Sequence, residues 1–198
     1  MPRQVPDFSW DGTAPDFEFA KAMRRLCLAA KDVIERQLLH GVLKQLTQQS
    51  FTKIHDGASV GMHCRHLLQH YQALLAAVYC NETAYYDRRI RGSKLENDLQ
   101  FAEAECLQIL DGVEKLQLKP ERLPICVAFE IGIDDSNEYA MNSFLDRELA
   151  FVNHHSVHHL ALVKYLVGRD HKFSEDFGVA TSTLKQRRNG TGSMKVGK

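Results

Sequence analysis

The sequence predicts an all-α protein, a four-helix bundle with a short β arm between its third and fourth helices. Four long stretches repeat apolar residues at alternating spacings of three and four, which is the pattern of an amphipathic helix. One short stretch alternates with a period of two, which is typical of a strand. Helices with one apolar face bury it by packing around a common core, so these four predict a bundle.

The first two helices are separated by a clear break in the pattern. Residues 1–15 carry three prolines and form an extended lead-in, and the first helix is predicted from residue 16 to about residue 48. Ser59 is the expected N-cap of the second helix, which runs over residues 60–80. The apolar seam of that helix consists of Val60, Cys64, Leu67, Tyr71, Leu74 and Val78.

The second half of the chain supplies two more helices and the β arm. The third helix is predicted over residues 95–115, and the alternating residues between Leu123 and Ile133 form the arm, which needs a partner surface to be stable. The fourth helix runs from about residue 142 to residue 167, where Gly168 ends it. The bundle domain therefore spans residues 16–168. A basic, Gly- and Ser-containing tail follows over residues 169–198, and its end is expected to be disordered.

Composition narrows the classes of partner. The chain has 25 basic and 25 acidic residues, which removes the electrostatic reason to expect nucleic acid or an acidic membrane surface. It contains neither an apolar run long enough for a membrane span nor a signal-peptide pattern, so a cytoplasmic location is expected. The five cysteines form no C-x-x-C pair and are expected to be reduced thiols. These features favour a small-molecule substrate, with homodimer formation through a helix face or the β arm.

Histidine is the unusual residue of this chain. Seven of the ten histidines lie in two short segments, namely His63, His66, His70, His154, His155, His158 and His159. With about 100° per residue, the apolar stripe of the fourth helix centres near about 30° from His155. His155 and His159 fall inside this stripe, whereas His158 and His154 fall off its edge. Two imidazoles at i and i+4 can chelate one ion, so His155 and His159 are predicted metal ligands.

The second helix offers three candidates for a third ligand. His63, His66 and His70 share one flank of its apolar seam, with His63 nearest the apolar centre, His66 farthest and His70 between them. Periodicity alone leaves the choice open. Three histidines without a paired cysteine or carboxylate fit zinc, nickel, copper or ferrous iron, with a position left for water or substrate. The alternative is that the histidines are hydrogen-bonded core residues, which requires a separate partner for each desolvated ring.

The two histidine segments also carry a family resemblance. They read SVGMHCRH over residues 59–66 and HSVHHLA over residues 155–161. Together they resemble the DinB-like superfamily, metal-binding four-helix bundles with one ligand from the second helix and an H-x-x-x-H pair from the last. The resemblance implies the ligands His66, His155 and His159. His63 and His158 then become neighbours that orient these ligands, or alternative ligands.

The resemblance also implies what the protein does. Members of this superfamily include metal-dependent thiol transferases and isomerases, so we expect a divalent ion that activates a low-molecular-weight thiol or water. A different class of function is a metal-stabilised binding or stress-response module without turnover, in which His63 or His158 closes the coordination sphere. Arg88, Arg89 and Arg91 are candidates for binding a carboxylate of the thiol or substrate, or else form a solvated basic loop. Glu148 falls in the apolar stripe, where it either lines a substrate cavity or, as we expect, forms a buried ion pair with an arginine or lysine.

Overall fold

The computed structural model describes residues 17–117, 122–132, 138–168 and 171–192. Its helices are α1 (Phe17–Lys31), α2 (Gln48–Thr52), α3 (Val60–Tyr79), α4 (Lys94–Asn97), α5 (Leu99–Leu116), α6 (Leu145–Val167) and α7 (Thr181–Gly192). Its strands are β1 (Ala84–Tyr85), β2 (Pro124–Glu130) and β3 (Glu138–Phe144). The predicted lead-in, Ile133 at the end of the arm and residues 193–198 of the tail lie outside the described residues. The protein is mainly helical and has a small sheet. This confirms the prediction of a mainly helical protein but does not confirm the all-α class.

The four long helices pack in a closed cycle. α3 packs against both α5 and α6, and α1 packs against the same two helices. Their apolar faces meet in one core, in which Ile34, Cys64, Leu67, Tyr71 and Cys106 are all buried. The seam predicted for the second helix therefore faces the core, as its spacing requires.

The first helix is shorter than predicted, because its winding changes at Asp32. A π-helical segment, Asp32–His40, continues α1 with wider turns, and a single 3₁₀ turn, Leu43–Gln45, follows. Residues five apart come together in such winding, and Gln37 Nε2 donates to Asp32 Oδ2 at 2.8 Å. Hydrophobic spacing does not distinguish this segment from an ordinary helix, so the prediction of one helix to residue 48 was wrong at its end.

The ends of α3 and α6 follow their sequence signals. Ser59 Oγ accepts a hydrogen bond from the Met62 amide at 3.1 Å and so caps α3. Gly168 ends α6 with a φ of 87°, a left-handed conformation that favours glycine. α6 begins at Leu145 rather than near residue 142, because Asn142 is paired with Cys126 in the sheet.

The predicted β arm belongs to a three-stranded sheet with the order β1, β2, β3. β2 pairs antiparallel with β3 and parallel with β1, and both β1 and β2 pack against α3. The arm thus finds its partner surface within the same chain. The parallel pairing of β2 with β1 could not be predicted from local sequence, because β1 has only two residues and lies far from β2 in the chain.

The core extends beyond residue 168. Phe177 is buried in the main hydrophobic cluster, and His171 Nε2 donates to the Gly41 carbonyl oxygen at 2.9 Å. Arg36 in the π-helical segment binds Asp176 at 2.9 Å. The segment after α6 is therefore packed against the rest of the fold. None of the helices in the described part of the chain combines the length and the hydrophobicity that a bilayer crossing requires.

Candidate metal centre

Three histidines on the facing helices α3 and α6 bring their ring nitrogens together. His66, His70 and His155 each offer a nitrogen, and these atoms lie within 4.8 Å of one another. The Nε2 atoms of His66 and His155 are 2.8 Å apart. This is a hydrogen-bond distance, and two imidazole nitrogens bound about 2.1 Å from a tetrahedral ion lie roughly 3.4 Å apart, so a small separation of the two rings would give the spacing of two ligands.

His70 is held in a single tautomer. Its Nδ1 lies 2.8 Å from the His66 carbonyl oxygen, which can only accept a hydrogen bond, so Nδ1 carries the proton. The lone pair is then on Nε2. Tyr86 stacks on the other side of the ring, with centroids 5.1 Å apart and an interplanar angle of 13°. A backbone carbonyl that fixes the ring and its tautomer is a common companion of a metal-ligating histidine.

His66 has a ring nitrogen that no described residue satisfies. Its Nδ1 is buried and has no hydrogen-bond partner within the described ranges. In one tautomer this atom is a buried lone pair, and in the other it is a buried N–H. Either one costs about 1 to 3 kcal/mol. Nε2 of the same ring faces His155, so an ion held between these two histidines would bind Nε2 and would leave the proton of His66 on Nδ1.

The predicted ligand His159 lies beside this group rather than within it. Its ring centroid is 4.4 Å from that of His66 and 4.6 Å from that of His155. Its Nδ1 lies 2.8 Å from Nδ1 of His63, with which it forms a second pair. His158 is exposed, with its ring 5.3 Å from that of His159. The ligand set His66, His155 and His159 therefore remains a prediction, with His70 as a second candidate for the third position.

The sequence also contains a pattern that points to His70, which the predicted ligand set of His66, His155 and His159 left out. His66 and His70 form an H-x-x-x-H pair on α3, the same spacing as His155 and His159 on α6. The order of burial on α3 was also wrong, since His66 and His70 are buried and His63 is only half-buried. α3 contacts α4, α5, α6 and the sheet, so its buried sector is wider than its apolar seam.

The angular position of the α6 histidines leaves the site accessible. The buried residues of α6 include Leu149, Val152, Ser156 and Leu160. On the helical wheel, the centre of these buried residues lies about 100° from the direction of His155. The apolar residues alone had predicted a buried face about 30° from His155. His155 and His159 are therefore half-buried at the edge of the packed face, whereas His154 and His158 are exposed as predicted.

The rings of the cluster are uncharged at neutral pH. Burial, reinforced by the neighbouring histidines, lowers the pKa of His66 to about 2 and that of His159 to about 3. Burial also lowers the pKa of His70 to about 4 and shifts the pKa values of His155 and His63 downward. Metal ligation requires neutral imidazole, so these environments keep the lone pairs available without competition from protons.

Aromatic rings close one side of the cluster. Phe151 stacks on His155 with centroids 5.7 Å apart, and Tyr86 contacts Phe151 at 5.3 Å. Behind this wall the fully buried Glu148 accepts hydrogen bonds from Ser143 Oγ and Arg147 Nη1, both at 2.6 Å. The expected ion pair of Glu148 is thus present, with Arg147. The wall keeps water from one side of the histidines.

Comparison with known proteins gives one partial similarity. The chain is 30% identical to FK506-binding protein 5 of Rhizopus delemar over 101 residues, which is 50% of this chain. The match spans 26% of that protein, about a quarter of its length. No family model matches the chain, and no solved structure matches it.

Proposed function

We propose that this protein binds one divalent metal ion through His66, His155 and a third histidine, and that it is a metal-dependent enzyme with the DinB-like four-helix fold. The observation that carries the proposal is the group of three buried or half-buried ring nitrogens within 4.8 Å of one another. The cycle of contacts among α1, α3, α5 and α6 supports the four-helix arrangement. Zinc, nickel and ferrous iron all suit imidazole ligands.

The chemistry that such an ion supplies is Lewis acidity, which lowers the pKa of a thiol or a water and provides a nucleophile at neutral pH. The chain's own residues bind and orient. His70 is held by the His66 carbonyl oxygen and by Tyr86, while Phe151 restricts water beside His155. The half-exposed edge of α6 leaves a side from which a small substrate reaches the histidines. Activation of a low-molecular-weight thiol is proposed from the family resemblance.

Metal content tests the first part of the proposal. Protein purified without a histidine tag or added metal is analysed for elements, together with His155→Gln and His154→Gln. We expect about one ion per chain in the wild type, loss of the ion in His155→Gln, and full content in the His154→Gln control, because His154 is an exposed neighbour outside the cluster. Folded wild-type protein that holds no metal and takes up no zinc, nickel or iron would overturn the proposal.

Turnover tests the second part. Wild type and His155→Gln are loaded with each metal and mixed with small thiols and 1-chloro-2,4-dinitrobenzene, and thioether formation is followed by absorbance. Acceleration in the wild type that is lost on chelation and in His155→Gln supports thiol activation. Metal-bound protein that accelerates no thiol reaction contradicts it.

A non-catalytic metal-stabilised module is the second candidate. It is favoured by the closeness of His159 to His66 and His155, which offers a fourth nitrogen and a closed coordination sphere. In this case chelation lowers the melting temperature strongly, because a ligand at about 1,000 times its Kd contributes about 4 kcal/mol. A large melting shift without any thiol reaction identifies the module, and turnover identifies the enzyme.

A further inference from the structure

β3 is the outer strand of the sheet, and one of its two edges is open. The strand order is β1, β2, β3, and within the described ranges β3 pairs with β2 alone. The seven residues of β3 pair with β2 in an unbroken register, so no bulge bends the strand away from a neighbour. Ala140, Met141 and Asn142, at the middle of the strand, are all exposed.

The hydrogen bonds of the sheet determine which backbone groups of β3 point away from β2. Opposite residues of an antiparallel pair alternate between hydrogen-bonded and non-hydrogen-bonded positions. The Leu145 amide donates to the Leu123 carbonyl oxygen at 2.9 Å. This bond flanks the pair of Pro124 and Phe144, which is therefore non-hydrogen-bonded, as a proline without an N–H requires.

The alternation gives β3 a row of outward donors and acceptors. Counting back from its last residue in steps of two, Asn142, Ala140 and Glu138 are also non-hydrogen-bonded, so their N–H and C=O groups point away from β2. Glu130, the partner of Glu138 on β2, confirms the pattern. Its amide points away from β3 and donates to the Asp87 carboxylate at 2.9 Å.

The open edge carries none of the usual devices that prevent pairing with another chain. Such edges are commonly protected by lysine, proline or a bulge, and β3 has none of the three. Its single charged residue is Glu138, and both carboxylate oxygens of Glu138 accept hydrogen bonds from Arg88. When two identical strands meet, each charge approaches its own kind, so a strand without unpaired charge is suited to pairing with itself.

The apolar face of the sheet also continues onto β3. Tyr139 and Met141 are 54% and 43% exposed, and they pair with Phe129 and Val127 of β2. Paired residues share a face of the sheet. Val127 is buried in the core and Phe129 packs against it, so the face that the core covers on β2 is left exposed on β3.

We propose that β3 pairs antiparallel with β3 of a second copy of this chain, which joins the two three-stranded sheets into one. The two-fold axis lies at Met141. Ala140 of each copy then faces Asn142 of the other, and these two pairs form four backbone hydrogen bonds. Glu138 faces Phe144 of the second copy, so the two acids do not meet. The interface is independent of the metal centre.

The size of this interface predicts a weak dimer. Seven residues at about 3.4 Å each give a contact roughly 24 Å long and one strand wide. Stable dimers bury about 800 Å² on each partner, and contacts below this size are typically reversible. We therefore expect exchange between monomer and dimer at micromolar concentrations.

Sedimentation velocity measures this exchange. The average mass of the wild type is expected to rise from 22.5 kDa toward twice that value between about 1 and 200 µM. Met141→Lys places two ammonium groups opposite each other at the axis and is expected to weaken the dimer by about tenfold or more. Leu107→Lys makes the same change at an exposed position on α5 and is expected to dimerise like the wild type.

Oxidation with diamide tests the register. Residues facing each other at a non-hydrogen-bonded position have Cα atoms about 4.5 Å apart, which a disulfide can bridge. Met141→Cys is therefore expected to form a covalent dimer more rapidly than the wild type. Ser143→Cys lies two residues from the axis, where the two copies of the residue are roughly 14 Å apart, and is expected to match the wild type.

The outcomes decide the proposal without reference to metal content. A wild type that stays at the mass of one chain up to 200 µM overturns it and leaves the edge to an extended segment of another protein. A dimer that Leu107→Lys weakens and Met141→Lys does not is formed through a helix face, which also overturns it. If circular dichroism shows that Met141→Lys is unfolded, the comparison of Met141→Cys with Ser143→Cys decides, and equal rates of covalent dimer formation contradict the pairing.

Discussion

Replacement of His70 by glutamine is expected to weaken zinc binding by about 100-fold. Structural zinc sites with four ligands bind with about 10 to 16 kcal/mol, or about 3 kcal/mol for each ligand. At 1.4 kcal/mol for each factor of ten, the loss of one ligand corresponds to roughly two orders of magnitude in Kd. Glutamine can still donate to the His66 carbonyl oxygen, as His70 Nδ1 does at 2.8 Å, so the change removes the ligand and spares the local packing.

Competition with a chromophoric zinc chelator measures the effect at neutral pH. The series consists of the wild type, His70→Gln, His159→Gln and the exposed control His154→Gln. His159 pairs with His63 outside the group of three nitrogens, so His159→Gln is expected to change the Kd by less than about tenfold, the lower range for a residue that only orients ligands. His154→Gln is expected to bind like the wild type.

The opposite ranking would refute this reasoning. If His159→Gln loses about 100-fold and His70→Gln is close to the wild type, the third ligand is His159, as the family resemblance implies. The hydrogen bond of His70 to the backbone would then be a packing feature of α3. Equal losses of about 100-fold in both variants would indicate four histidine ligands and favour the non-catalytic module.

Three further predictions concern stability, each measured by urea unfolding. Tyr71→Phe leaves the buried Asn153 Oδ1 without its donor and is expected to cost about 1 to 3 kcal/mol, and a loss below about 0.5 contradicts this. Phe177→Ala is expected to cost about 3 to 5 kcal/mol, whereas no change would mean that the segment after α6 is not part of the fold. Burial lowers the pKa of His70 to about 4, so the stability that its neutral ring gives the metal-free protein is complete above about pH 6.5 and is lost toward pH 4. The free energy of unfolding is expected to fall by up to about 1.4 kcal/mol per pH unit over this range. A constant free energy of unfolding from about pH 7.5 to 5 would contradict a buried neutral ring.

The sequence predicted correctly those features that depend on a single helix, such as where it begins and ends. Ser59 caps α3 through its own side chain, and Gly168 ends α6 through its own backbone conformation. The spacing of Cys64, Leu67 and Tyr71 placed one face of α3 in the core, because that face is a property of the helix alone. The same spacing was less accurate for α6, because the buried residues of that helix centre about 70° away from its apolar stripe.

Contacts between distant segments were not predictable in the same way. The register of β1 against β2 pairs Ala84 with Val127. It depends on where α3 ends before β1 and where α5 ends before β2. The wide turns after Asp32 keep an ordinary apolar spacing, so the sequence carries no sign of them. Tyr86 reaches His70 only because β1 lies in the sheet. The third ligand depends on this arrangement, which a single helical wheel cannot represent.

The two helices play unequal roles in the site. On α3, His66 and His70 are buried, and His70 is fixed by a hydrogen bond and a stacked ring. On α6, His155 and His159 stand at the edge of the packed face, where their angle to the core leaves them half-exposed. A site that is buried on one side and accessible on the other suits the proposed function, in which α3 would hold an ion and a small molecule would reach it along α6. This asymmetry favours chemistry over a purely structural ion.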